Sequence, residues 1–327
     1  MASSAQLKAL MHAHVSGDPE RFRSVALQVA AHEAKIGHFK LAEELRELAN
    51  KAKNQKQVVP ISKGQTDSSG LLHASSPSTK LSDLVLEKES RAQLDRVMKE
   101  VKHLNELRSH GLNPRRKLLL VGPPGTGKTY TASALAGELG YPLFEVRLDA
   151  VITKFMGETS LKLRQIFDSI ESVRGVYFFD EFDALGADRA SGNDVGEARR
   201  VLNSLLTMIE QDNSTSLIVC ATNYSELLDR ALFRRFDEVV NYNLPSVESI
   251  KTLMVRRLQP YAPARLAWTS YAKRAQGLSS ADVKVIADDV IKEVLLSGTK
   301  KFKSEWLTKA IKERQQITQR PPQNNNR

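Results

Sequence analysis

Apolar positions change their spacing twice along the chain. Between residues 5 and 53, Leu7, Leu10 and Met11, then Phe22, Val25, Ala26 and Val29, recur with helical spacing. Asp18 is placed to cap a helix that begins at Pro19, and Gly37 to close it. Leu41, Leu45 and Leu48 stripe a third helix. Residues 1–53 therefore read as a small all-α domain of about three helices, too short to bury a large core alone. Residues 54–80 lose the period. Gln, Ser, Thr, Gly and Pro dominate them, and they read as a flexible linker. From Leu81 onward, short β-like runs alternate with amphipathic stretches. The runs are Lys117–Val121, Leu143–Arg147, Val176–Asp180, Leu217–Thr222 and Glu238–Tyr242. That alternation predicts an α/β fold, a parallel doubly wound sheet spanning 81–245. Residues 246–316 show only helical patterning, a helical subdomain after the sheet. Residues 317–327 form a polar tail, expected to be disordered.

Composition narrows the picture. Of 327 residues, 41% are hydrophobic and 26% charged, which excludes a wholly disordered chain and a collagen-like fibre. Cys220 is the single cysteine, so no intrachain disulfide forms. No apolar run approaches the ~20 residues needed to span a bilayer. Residues 1–17 lack the apolar core of a secretory leader. A cytoplasmic location without a membrane partner is the expectation. The net charge of +10 raises nucleic acid as a partner, but its distribution weakens that reading. Residues 81–296 hold 29 basic and 29 acidic side chains, so the excess lies in the flanks. Lys300, Lys301, Lys303, Lys309, Lys312 and Arg314 keep a nucleic-acid footprint open at the C-terminal end.

The chemistry begins where the apolar run Leu118-Leu119-Leu120-Val121 enters Gly122-Pro123-Pro124-Gly125-Thr126-Gly127-Lys128-Thr129-Tyr130 and then a helix-forming segment. This is G-x4-G-K-[ST] in its strand–loop–helix setting. Glycines let backbone N–H groups turn inward around an anion, and the following helix adds its positive end. Lys128 would neutralise the β- and γ-phosphates of ATP, and Thr129 would place its hydroxyl on Mg²⁺. A second apolar run, Val176-Tyr177-Phe178-Phe179, ends in Asp180-Glu181. Carboxylates at the C-terminal end of a central strand lie beside such a loop. Asp180 would hold Mg²⁺ and Glu181 would polarise the attacking water. Asp183 reads better as local structure. A third run, Leu217–Thr222, ends at Asn223, which could orient that water; alone, an asparagine there is ordinary turn chemistry.

These three motifs, with Leu232-Phe233-Arg234-Arg235-Phe236-Asp237 after them, resemble the AAA family of the AAA+ ATPases over roughly residues 81–316. The resemblance implies a nucleotide-binding α/β subdomain, a helical lid and a ring, usually a homohexamer, with ATP at subunit interfaces. Asn223 then corresponds to the first sensor residue. Arg234 and Arg235 correspond to arginine fingers that reach the neighbouring subunit's γ-phosphate, and their adjacency leaves open which is the principal one. Gly277-Leu278-Ser279-Ser280-Ala281-Asp282-Val283 resembles the lid motif G-x-S-G-A-D-[IV], with Ser280 in place of glycine and no second-sensor arginine. Ser280 and Ala281 would lie near the nucleotide, and Leu84-Val85-Leu86 near adenine.

Lys154-Phe155-Met156-Gly157-Glu158 resembles the pore-loop motif of protein-remodelling members, in which an aromatic and a flexible apolar residue grip an extended polypeptide. Residues 187–200, with Arg189, Arg199 and Arg200, fit either a second pore loop or a solvated helix face. The N-terminal helices resemble, at lower similarity, substrate- or adaptor-docking domains, and a separate protease is a further partner such a ring could serve. Two classes of function follow: ATP-driven remodelling of proteins, and a nucleic-acid motor or loader. The pore aromatic, the missing second-sensor arginine and the neutral central body favour the first.

Overall fold

The computed structural model describes residues 8, 19–54, 70–151, 156–182, 194–223 and 233–318. They fall into two compact units, residues 1–62 and 63–327.

In the first unit, α1 (Pro19–Lys35) and α2 (Phe39–Asn54) form a hairpin. Gly37, at φ +94°, makes the reversal. His38 N–H donates to Glu33 O at 3.0 Å and Gly37 N–H to Ala34 O at 3.2 Å, a Schellman closure of α1. Val29, Ala30 and Ala42 are buried, and so is Glu33, whose carboxylate lies 2.6 Å from His38 Nδ1. That bond holds Glu33 below the usual glutamate range. Pro19 opens α1 as the sequence predicts. Its expected cap Asp18, and most of the expected first helix, lie outside the described residues.

The second unit is built on a six-stranded sheet. The strands are β1 (Leu72–Ser75), β2 (Lys117–Val121), β3 (Leu143–Val146), β4 (Val176–Phe179), β5 (Leu217–Thr222) and β6 (Glu238–Asn241). Their spatial order is β1-β3-β4-β5-β2-β6. All neighbours are parallel except β1, which runs antiparallel to β3. The sequence predicts the other five strands to within a residue. It assigns Leu72–Ser75 to the linker, and here the structure differs. Leu71 and Leu72 bury against the sheet, and Arg147 N–H donates to Leu71 O at 2.9 Å. The alternation of Leu72-His73-Ala74-Ser75 is only four residues long and sits among Ser, Gly and Pro, too short a pattern to stand out as a strand.

Strand alternation sends consecutive side chains to opposite faces, and here both faces are covered. Leu119, Val121, Tyr177, Phe179, Ile218 and Cys220 pack against α7 (Met156–Ser172) and α8 (Asp194–Gln211). Leu118, Leu120, Val176, Phe178, Leu217 and Val219 pack against α3 (Lys88–Lys102) and α5 (Lys128–Leu139); the short α4 (Leu104–Ser109) lies between these two in sequence and the short α6 (Leu148–Val151) follows α5. Continuous apolar runs, rather than alternation, are the sequence mark of such doubly covered strands. The lid is a separate cluster. Ile250 and Met254 of α9 (Val247–Leu258), Ala272 of α10 (Trp268–Arg274), Val283, Ile286 and Val290 of α11 (Ser280–Leu296), and Leu307 and Ile311 of α12 (Ser304–Thr318) form its core. Helix α12 continues two residues past the boundary expected at 316.

Parallel pairing fixes the site. Val121 lies opposite Thr222 and Phe179 opposite Cys220, so β2, β4 and β5 end at one edge of the sheet. Gly122, Asp180 and Asn223 are the residues that emerge there.

Candidate functional site

The loop after β2 is shaped by three glycines with positive φ: Gly122 (+152°), Gly125 (+74°) and Gly127 (+106°). A Cβ at Gly122 would run into the backbone of Tyr242, just past β6. The phenol of Tyr242 is buried and 2.7 Å from Thr131 Oγ1, which in turn donates to Gly127 O at 3.0 Å. Burial pushes the tyrosine hydroxyl well above its ordinary pKa, so it stays protonated. The loop thus rests on a fixed backbone floor. Thr126 Oγ1 donates to Pro123 O at 2.8 Å and closes the loop from within. Helix α5 begins at Lys128, so its leading N–H groups point out of the helix toward the loop. Left-handed glycine turns followed by a helix N-terminus form an anion cradle.

The side chains around that cradle come from all three strand ends. Lys128 is only 6% exposed, and its ammonium donates to Gly122 O (2.7 Å), Pro123 O (2.9 Å) and Asn223 Oδ1 (2.8 Å). Thr129 Oγ1 donates to Asp180 Oδ2 at 2.9 Å, so a hydroxyl and a carboxylate sit together at the loop's end, a donor set that suits a hard divalent cation. Glu181 N–H donates to Asp180 Oδ1 at 2.9 Å. Glu181 is exposed and is the one non-glycine residue with positive φ (49°) among the described residues. A left-handed glutamate is strained by about 1–2 kcal/mol, which marks a side chain aimed for a purpose other than packing. Tyr130 is exposed and joins none of these contacts. A recess of about 220 Å³, lined by His73, Thr129, Glu145, Arg147, Asp149 and Asp180 among others, opens beside the Thr129–Asp180 pair. His73 belongs to the unpredicted β1.

The lid touches the cradle directly. Ala281 N–H donates to Gly125 O at 2.9 Å, and a Cβ on Gly125 would come within 2.6 Å of Ser279 Oγ. Ser279 caps α11 reciprocally: its Oγ accepts from Asp282 N–H (3.2 Å), and its own N–H donates to Asp282 Oδ2 (2.9 Å). Burial alone would raise Asp282, but bonds from Ser279 and from Arg314 outweigh it and hold the carboxyl below the usual aspartate range. Ala281 is thus beside the loop, with Ser280 preceding it as the first residue of α11. Leu84 is buried in the core, with Leu86 packed against it.

Arg234 and Arg235 sit elsewhere. They precede β6, whose first residue Glu238 lies opposite Leu118 near the start of β2. Asp237 N–H donates to Lys117 O, and its carboxylate accepts from the N–H groups of Arg116 and Lys117. The pair therefore lies at the N-terminal edge of the sheet, about 16 Å of strand away from the loop of the same chain. Arg234 is exposed. Arg235 is half-buried, 3.7 Å from Glu210, with its Nη1 buried and without a hydrogen-bond partner.

Lys154, Phe155, Asp183 and Arg189 lie outside the described residues. Met156 opens α7 and Arg199 lies within α8, their side chains outside the description, and Arg200 is exposed. Sequence reasoning named Ser279 only as part of the lid motif and Arg314 only as part of the basic C-terminal segment, and did not join either to Asp282. The S-x-x-D spacing of a capping box was the available signal for Ser279; nothing local marks Arg314.

Among the described residues no helix is long and apolar enough to cross a membrane. Residues 118–244, from β2 past β6, match the family described as "ATPase family associated with various cellular activities (AAA)". An uncharacterised AAA family ATPase of Sinorhizobium fredii is 31% identical over 325 residues, covering 96% of both chains. The ATP-dependent zinc metalloproteases FtsH of Helicobacter felis and Mycoplasmopsis synoviae are each 30% identical, over 76% and 71% of this chain. The chain spans 40% and 36% of their lengths. The matched segment carries the anion cradle, the Thr129–Asp180 pair, the strained Glu181 and Asn223, and the Sinorhizobium relative aligns with the chain well beyond it on both sides. The chain belongs to the AAA family of ATPases, and its reaction is the hydrolysis of ATP.

Proposed function

We propose that this ATPase assembles into a homohexameric ring that uses ATP hydrolysis to remodel or thread protein substrates through a central pore. The observation that carries the reading is the meeting of Lys128, Thr129, Asp180, Glu181 and Asn223 at one edge of the sheet, with the arginine pair at the other. In this reading residues 122–130 cradle the phosphates and Lys128 holds the β- and γ-oxygens. Thr129 and Asp180 would hold Mg²⁺, which supplies charge neutralisation on the phosphates. Glu181 takes the proton from the attacking water, and Asn223 orients that water. An arginine that cannot reach its own chain's loop stabilises the transferring phosphoryl group of a neighbour. Arg234 is the principal finger, because its side chain is exposed while Arg235 is held near Glu210.

Lys154, Phe155 and Met156 grip the polypeptide. The N-terminal hairpin docks a substrate or adaptor; its exposed Ile36, Phe39 and Leu41 support that role. The likeness to ATP-dependent zinc metalloproteases supports a protein as the client and a separate protease as a partner.

The test is ATPase rate against added unfolded protein or added DNA. Unfolded protein is expected to raise turnover, and Phe155→Ala to abolish that rise while the variant remains folded by thermal denaturation. Stimulation by DNA alone would instead favour a nucleic-acid motor working through the basic segment from Lys300 to Arg314.

A further inference from the structure

The lid motif carries no arginine toward the nucleotide, yet an arginine reaches the same motif from behind. Arg314 Nε, on α12, donates to Asp282 Oδ1 at 2.6 Å. The other oxygen of that carboxylate, Oδ2, takes the Ser279 N–H and the Ser279 hydroxyl at 2.9 and 2.6 Å. Asp282 is 8% exposed, and the Arg314 side chain 30%. Two elements therefore converge on one buried carboxylate: the guanidinium of α12 and the cap of α11, which sets the direction of the first turn of α11.

That direction matters because the first turn is docked. Helix α11 has three leading N–H groups without intrahelical acceptors, on Ser280, Ala281 and Asp282. Asp282 N–H is satisfied by Ser279 Oγ, and Ala281 N–H by Gly125 O of the phosphate loop at 2.9 Å. The capping box and the loop contact are adjacent donors of the same helical turn. Rotating that turn by a few degrees to satisfy Asp282 otherwise would pull Ala281 N–H off Gly125 O.

We propose that Arg314 is a positioning residue for nucleotide binding: by fixing Asp282 and the cap of α11, it sets the lid–loop bond between Ala281 and Gly125, so that the C-terminal helix senses and tunes nucleotide affinity. This rests on the nucleotide site proposed above. Anything that moves α12, including a partner bound to the C-terminal end of the chain, is then read out at Gly125.

The experiment measures the affinity of the full chain for fluorescently labelled ADP, with the KM and kcat of ATP hydrolysis. Arg314→Gln is expected to weaken ADP binding about fivefold to tenfold and to raise KM with kcat near wild type. Arg314→Lys, which keeps the charge, is expected to recover most of the affinity. Asp282→Asn should weaken binding similarly, and the double variant should be no weaker than Asp282→Asn alone, since both act through one carboxylate. Unchanged ADP affinity in Arg314→Gln, with or without a lowered melting temperature, would reduce Arg314 to a stability contact and overturn the proposal. Additive losses in the double variant would overturn it too. Lys128→Ala in the same assay separates the two layers: if it bound ADP like wild type, the nucleotide-site reading itself would fall.

Discussion

The two edges of the central sheet are built by different rules. At the edge where β2, β4 and β5 end, Lys128 and Asp180 find partners within the chain: Lys128 has Asn223 and two carbonyls, and Asp180 has Thr129. At the opposite edge Arg116 is buried against Asp212, while Arg234 is exposed and Arg235 keeps one guanidinium nitrogen buried without a partner. Both edges carry function in the reading advanced here, but only the first is complete in one copy. A site whose parts are all on one chain shows itself as geometry. A site shared between copies shows on each copy only as arginines placed far from the phosphates of their own chain.

The largest effect expected from that difference is at Arg234. Arg234→Ala should lower kcat about 10³-fold or more, the range of an arginine finger, with ADP affinity retained. Mixing it with Lys128→Ala subunits should restore part of the activity, because a mixed ring pairs an intact loop with an intact arginine. Mixed rings that form and stay inactive would place Arg234 in a structural role. Next comes Glu181→Gln. Turnover should fall about 10²- to 10⁴-fold, since an amide cannot accept the proton of the attacking water. Mixing with Lys128→Ala subunits should not rescue this loss, because Glu181 serves the loop of its own chain and no site in that mixture has both Lys128 and Glu181. Near-normal turnover in Glu181→Gln would remove Glu181 as the base.

The same contrast explains what was legible in the sequence. The strands announce themselves because they are covered on both faces, so Leu118–Val121, Val176–Phe179 and Leu217–Ala221 are unbroken apolar runs. The loop was legible because its chemistry is local: glycines, lysine and threonine act through backbone turns within nine residues, 122–130. β1 was not legible, since a short edge strand is stabilised by pairing with β3 and by burial of Leu71 and Leu72 rather than by its own pattern. Nor was Arg314. It lies 32 positions from Asp282, and only the packing of α11 on α12 brings them together. Which arginine of the pair faces outward was likewise undecidable from two adjacent identical residues.

A smaller effect separates two glycines of the loop. Gly125 and Gly127 both have positive φ, so alanine strains the backbone at either. A Cβ at Gly125, though, would come within 2.6 Å of Ser279 Oγ and 3.1 Å of Ala281, whereas one at Gly127 would meet nothing within 4 Å. Ser279 is buried and bonded on both sides, so it cannot swing away. Overpacking of this kind is worth about 1–3 kcal/mol. Gly125→Ala should therefore bind labelled ADP about tenfold more weakly than Gly127→Ala. Equal affinities in the two variants would mean that the lid does not press on the loop in solution.

The smallest effect is expected at Arg235. Its ion pair with Glu210 is long, at 3.7 Å, and the side chains are 31% and 62% exposed, so solvent screening leaves it about 0–1 kcal/mol. Against that stands the buried Nη1 without a partner, a penalty of about 1–3 kcal/mol that truncation removes. The two terms oppose each other, and Arg235→Ala should melt within a few degrees of wild type or slightly above it. Its kcat should fall less than tenfold, because a guanidinium held beside Glu210 of its own chain is poorly placed to cross to another. Should Arg235→Ala instead lose as much turnover as Arg234→Ala, with partial rescue by Lys128→Ala subunits, then Arg235 is the residue that crosses. Its unpartnered nitrogen would then be the donor kept for the neighbour's phosphate, and the Glu210 contact the tether that aims it.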